Sequence, residues 1–126
     1  MDVKVLSSST LAFVGDAYYS LIVREMLAKV NRPLGELHKA SVTLVKAPAQ
    51  AAAFKVIKDK LTEEEMDIYK RGRNTHVNTV PKNSSVGEYH SATGLEALFG
   101  YLYLAGQEAR ARELFEYIRE SYEKEG

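Results

Sequence analysis

Apolar residues recur every three or four positions in almost every segment of this chain, and nowhere do they alternate convincingly as in a strand. Leu11, Val14, Tyr18, Leu21, Ile22 and Met26 keep helical spacing behind a serine-rich N-cap at residues 7–9. Asn31-Arg32-Pro33 breaks this helix just after Lys29. A second stripe, Leu34, Leu37, Leu44 and Val45, suits a helix from about Pro33 to Lys46. Pro48 reads as a first-turn proline opening an alanine-rich helix from Ala49 to Lys60, because its missing N–H has no partner to lose there. Thr62-Glu63-Glu64-Glu65 has the capping-box form, a hydroxyl residue with Glu three positions later, and starts a short helix ending near Arg71-Gly72. Residues 72–89 show no apolar period and are rich in Asn, Ser, Thr, Gly and Pro, which predicts a long loop. Helix resumes at about Ser91, runs through GLEALFGYLYL and stops at Gly106. A last amphipathic helix, Ala109 to Lys124, places Leu114, Phe115, Ile118 and Tyr122 on one face. The expected fold class is all-α.

With 126 residues the chain can build one core, so residues 1–126 form a single expected domain. The absence of cysteine excludes disulfide and thiolate chemistry. MDVKVLSSST lacks the apolar core of a signal peptide, and no apolar run approaches the ~20 residues that span a bilayer. The expected location is therefore the cytoplasm, off the membrane. The formal net charge of zero conceals an uneven distribution. Between residues 70 and 90, Lys70, Arg71, Arg73 and Lys82 face only Glu88, a local balance of +3.

Two acids break the apolar pattern. Asp16 sits inside LAFVGDAYYSL and Glu96 inside SATGLEALFGYLYL. Residues three and four positions away are a helical residue's neighbours. For Asp16 these are Ala12, Phe13, Tyr19 and Ser20; for Glu96 they are Ala92, Thr93, Phe99 and Gly100. None is cationic. Each acid must face water, meet a partner from another element, or bind a metal, and spacing alone leaves all three open. Gly15, Ala17, Ala97 and Gly100 are small enough to let the two helices approach closely. Two carboxylates aimed at one point suit an oxygen-preferring divalent cation such as Mg²⁺.

LAFVGDAYYSL resembles the signature helix of the ribonuclease III family, and ATGLEALFGYLYL resembles that family's second catalytic helix. The intervening KRGRN and TVPKN, with no double-stranded-RNA-binding domain following, resemble the short Mini-ribonuclease III branch; the likeness covers about residues 7–120. The resemblance implies Asp16 and Glu96 as catalytic, metal-binding carboxylates, and Mg²⁺ as the cofactor with Mn²⁺ as a substitute. It implies a homodimer that cleaves both strands of double-stranded RNA and leaves 5′-phosphates. The implied cellular role is maturation of precursor 23S ribosomal RNA, with a ribosomal protein or pre-ribosomal particle as a candidate partner. The chain departs from full-length ribonuclease III at two further acidic positions, which here are Ala12 and Thr93. Thr93 is either a hydrogen-bonding partner for a metal-bound water or a first-turn helix residue.

Arg71, Arg73, Lys82 and Asn83 are the expected RNA-binding residues. Arg offers a planar set of donors and Lys a point charge, and duplex RNA is held through phosphates and 2′-hydroxyls. His76 and His90 are given no catalytic role. Two rival readings are a non-catalytic double-stranded-RNA-binding member of the same fold and an all-α nucleotide pyrophosphohydrolase. The nearest acidic set for the second, Glu63-Glu64-Glu65, reads as capping instead.

Overall fold

The computed structural model describes residues 2–75 and 85–125. It is all-α, as expected: no strand occurs among the described residues. The helices are α1 (Ser8–Leu27), α2 (Leu34–Val45), α3 (Ala47–Ile57), α4 (Glu63–Arg73), α5 (Val86–Leu104) and α6 (Glu108–Glu125). His76, Lys82 and Asn83 lie outside the described residues.

Local chemistry accounts for most helix boundaries. The Ser7 hydroxyl accepts from the Thr10 N–H and caps α1. At the other end of α1, the Arg32 guanidinium donates to the Leu27 carbonyl. Lys46 alone separates α2 from α3, in an extended conformation, and Pro48 lies in the first turn of α3. Thr62 and Glu65 form the expected capping box. Gly106 closes α5 at φ 75°, where its missing side chain permits the left-handed turn. The Gln107 N–H reaches back to the Leu102 carbonyl at 2.7 Å.

Three expectations need correction. The stretch at residues 72–89 is not wholly loop, because α4 continues to Arg73 and α5 begins at Val86. A second capping box, Ser85 with Glu88, starts α5. Thr93 therefore lies in the body of α5 rather than its first turn. Leu21, assigned to the apolar face of α1, is 52% exposed, while Tyr19 and Val23 are fully buried.

Helix α5 is the centre of the molecule, packed against α1, α3, α4 and α6. Its Leu95, Ala97, Leu98, Phe99 and Leu102 are all inaccessible to solvent, which is why the segment is apolar around its whole circumference. Tyr19 meets Phe99 and Phe115 edge-on, with ring centroids 5.1 and 5.7 Å away. Helices α1 and α5 cross with their backbones in contact. A Cβ added to Gly15 would lie 1.6 Å from the Glu96 carbonyl oxygen, and one on Gly100 would lie 1.9 Å from that of Leu11. Across the same helix, Gly72 of α4 packs on Gly94 and Ala97.

Neither clash at the α1–α5 crossing can be relieved by moving a side chain. Gly15→Ala and Gly100→Ala are each expected to cost at least about 3 kcal/mol in denaturant titrations. Gly35→Ala in α2 meets open space and is expected to add up to about 1 kcal/mol.

Candidate active site

The α1–α5 crossing determines where the two anomalous acids sit. Asp16 follows Gly15, and Gly15 rests against the backbone of Glu96 itself. Asp16 is exposed and Glu96 is half-buried, with the two carboxyl groups within hydrogen-bonding reach of each other. Burial pushes the Glu96 carboxyl up to about 8; the neighbouring Asp16 adds to the rise, and a hydrogen bond from Gln50 opposes it. Among the described residues, neither acid forms an ion pair with a Lys, Arg or His.

This donor set suits a divalent cation. Two adjacent carboxylates, one of them partly desolvated, repel when both are ionised, and a small hard cation offsets that repulsion. The described residues contain no group of three or more His, Cys, Asp or Glu placed to hold a metal ion, so Asp16 and Glu96 are a pair of acids without a third beside them among those residues. A third polar group adjoins them. Gln50, in the first turn of α3, is buried and donates from Nε2 to Glu96 Oε2 at 3.2 Å. Apolar periodicity alone places Gln50 in an alanine-rich helix and does not single it out. A lone amide among Ala49, Ala51, Ala52 and Ala53 was the available signal.

Of the expected RNA-contacting cations, Arg71 and Arg73 fall among the described residues, in the last turn of α4. Arg71 and Arg73 are exposed on either side of buried Gly72, which packs on α5 at Gly94 and Ala97. Arg73 lies 5.8 Å from the Tyr69 ring centroid. Thr93, one turn before Glu96, donates its hydroxyl to the Tyr89 carbonyl at 3.1 Å. His90 is half-buried. The acidic run at the start of α4 is engaged elsewhere. Glu64 accepts from the Tyr101 hydroxyl and pairs with Lys4. Glu65 is buried and accepts two hydrogen bonds from Arg110, which also donates to the Lys60 carbonyl. That acidic run does not provide an ExxE metal site.

Residues 9–107 match the model of the Ribonuclease III domain. The chain belongs to the ribonuclease III family. Among its relatives is the Mini-ribonuclease 3 of a Thermoanaerobacter species, 53% identical over 112 residues, covering 88% of this chain and 79% of that protein. The Mini-ribonuclease 3 of Clostridium tetani is 38% identical over 125 residues, covering 98% and 83%. A Fusobacterium nucleatum protein with an X-ray structure shares the fold at TM-score 0.86, with 32% identity over 99% of this chain and 98% of that one. Asp16, Gln50, Arg71, Arg73 and Glu96 all fall inside the matched ribonuclease III domain.

The raised carboxyl of Glu96 has a consequence for stability. Between its ordinary value of 4.5 and about 8, the folded protein holds a proton that the unfolded chain has released. Its contribution is therefore complete below 4.5 and is lost as pH rises through 8. Glu96→Gln removes this dependence. Denaturant titrations of the metal-free proteins should show the variant gaining on the parent by roughly 1–3 kcal/mol from pH 5 to pH 8. A constant difference would contradict the assignment.

Proposed function

We propose that this chain is a divalent-metal-dependent endoribonuclease for double-stranded RNA, with Asp16 and Glu96 as its catalytic, metal-binding carboxylates. The observation that carries the reading is the pairing of these two acids across the α1–α5 crossing without a cationic partner among the described residues. Family membership and the Mini-ribonuclease 3 names of its relatives support it. Mg²⁺ is the proposed cofactor, with Mn²⁺ as a substitute. When bound, such a cation lowers the pKa of water and offsets the charge that develops on a phosphate under attack.

The chain's own residues supply position and charge. Asp16, exposed, faces the incoming phosphodiester, while Glu96 is anchored by the buried helix that carries it. Water adds to phosphorus and the P–O3′ bond breaks, leaving a 5′-phosphate on one fragment and a 3′-hydroxyl on the other. Arg71 and Arg73, with Lys82 and Asn83, hold the duplex through its phosphates, where charge and donor geometry matter more than base sequence.

The active form in this reading is a homodimer. Phe13, Ala17 and Leu21 recur every fourth residue as an exposed stripe on α1, with Phe13 81% and Leu21 52% accessible. A second copy covering that stripe beside Asp16 would bring two carboxylate pairs to one duplex, one for each strand. Precursor 23S ribosomal RNA in the cytoplasm is the proposed substrate, with a ribosomal protein or pre-ribosomal particle as a candidate partner. No described helix is long and apolar enough to cross a membrane.

Long double-stranded RNA incubated with the protein and Mg²⁺ should be cut. Asp16→Asn and Glu96→Gln are each expected to lower the rate at least about 100-fold while remaining folded. A parent that binds the duplex without cutting it, in either Mg²⁺ or Mn²⁺, would instead favour a non-catalytic RNA-binding protein of the same fold. Arg71→Ala should weaken duplex binding across all sequences and reduce the slope of log affinity against log salt by about 1.

A further inference from the structure

We propose that Gln50 is a positioning residue of the Asp16–Glu96 cation site. Its amide nitrogen sets the Glu96 carboxylate, and its amide oxygen is a third oxygen acceptor for the hydration water of the cation. The proposal rests on the functional reading above and extends it to a residue outside the acidic pair.

Gln50 is only 2% exposed, at the corner where α2 turns into α3. Both hydrogens of its Nε2 are used: one goes to the Val45 carbonyl at 2.8 Å and the other to Glu96 Oε2 at 3.2 Å. A backbone carbonyl can only accept, so the contact with Val45 fixes which way round the amide lies. Reversing it would set an oxygen against two oxygens. Glu96 thus meets a donor that favours its acceptor form and restrains its rotation. The link is long-range in sequence, and it ties the α2–α3 corner to the middle of α5.

The other end of the amide is unusual. Gln50 Oε1 is buried and has no hydrogen-bond partner. Were closure of the corner its only task, the contact with Val45 would suffice, and an unpaired buried acceptor is a continuing cost. A group that binds at the site and offers donors removes that cost. Hydrated Mg²⁺ is such a group, since it keeps several waters when few protein ligands bind it. With two acids available among the described residues, the Gln50 amide, bonded to Glu96 through its nitrogen, adds a third oxygen-bearing side chain. Residues that orient a metal's ligands in this way alter its affinity measurably.

Gln50→Met retains length and bulk while removing both halves of the amide. Mn²⁺ alone, titrated into the RNA-free protein and followed by the electron paramagnetic resonance of the free ion, reads the site without catalysis. Gln50→Met is expected to weaken Mn²⁺ binding by about 10-fold or more. The Mg²⁺ concentration for half-maximal RNA cleavage should rise by a similar factor, while half-saturation by RNA stays within about twofold. A purely structural role would move the melting midpoint but not the metal dependence. Gln50→Asn keeps an amide one methylene too short to hold Glu96, should show the same weakening, and decides the question alone if the Met variant does not fold. Wild-type Mn²⁺ affinity in the Gln50 variants, with loss in Asp16→Asn and Glu96→Gln, would overturn the role of Gln50 and leave the acidic site standing. Unchanged affinity in all four variants would overturn the acidic site, and the role of Gln50 with it.

Discussion

The backbone contact between α1 and α5 is the constraint on which the rest of the molecule depends. Gly15 lies against the Glu96 carbonyl and Gly100 against that of Leu11, so neither helix can carry a Cβ at its crossing point. Because the contact is backbone on backbone, the position of Asp16 relative to Glu96 is set by the two helix axes rather than by flexible side chains. The surrounding core holds those axes in place. Tyr19 is wedged edge-on between Phe99 and Phe115, and α5 is enclosed by α1, α3, α4 and α6. Farther out, buried Glu65 pairs with partly exposed Arg110 and fastens the start of α4 to α6.

Rigid packing is also what makes the acidic pair electrostatically unfavourable. In water, two carboxyl groups would turn apart and ionise separately. Here one is half-buried, the other is held beside it, and the Glu96 carboxyl consequently stays protonated to about 8. Evenly distributed surface acids would stabilise the fold better. Strain of this kind at one place, in a core that is otherwise well packed, is characteristic of a functional site. The proposed cation relieves it, and Gln50 adds a donor on the Glu96 side and an unpaired acceptor beyond.

Much of this was legible in the sequence, for identifiable reasons. Helical periodicity, the Thr62 capping box, the first-turn Pro48 and the terminating Gly106 are local signals, and each corresponds to the structure closely. Asp16 and Glu96 stood out because acids are conspicuous in apolar helices. What failed was what local pattern does not encode. The polar character of residues 85–90 hid the first turn of α5, although Ser85 and Glu88 repeat the capping signal of Thr62 and Glu65. Leu21 keeps core spacing yet faces outward, since periodicity does not reveal which side of a helix a neighbour covers. Gln50 meets Glu96 across 46 positions, and only tertiary structure brings them together.

Anomalous diffraction from crystals grown with Mn²⁺ tests the account most directly, because it locates the ion without recourse to activity. The expected result is a peak coordinated by carboxylate oxygens of both Asp16 and Glu96. At saturating Mn²⁺, a peak held only by other residues, or none between these two acids, would contradict it.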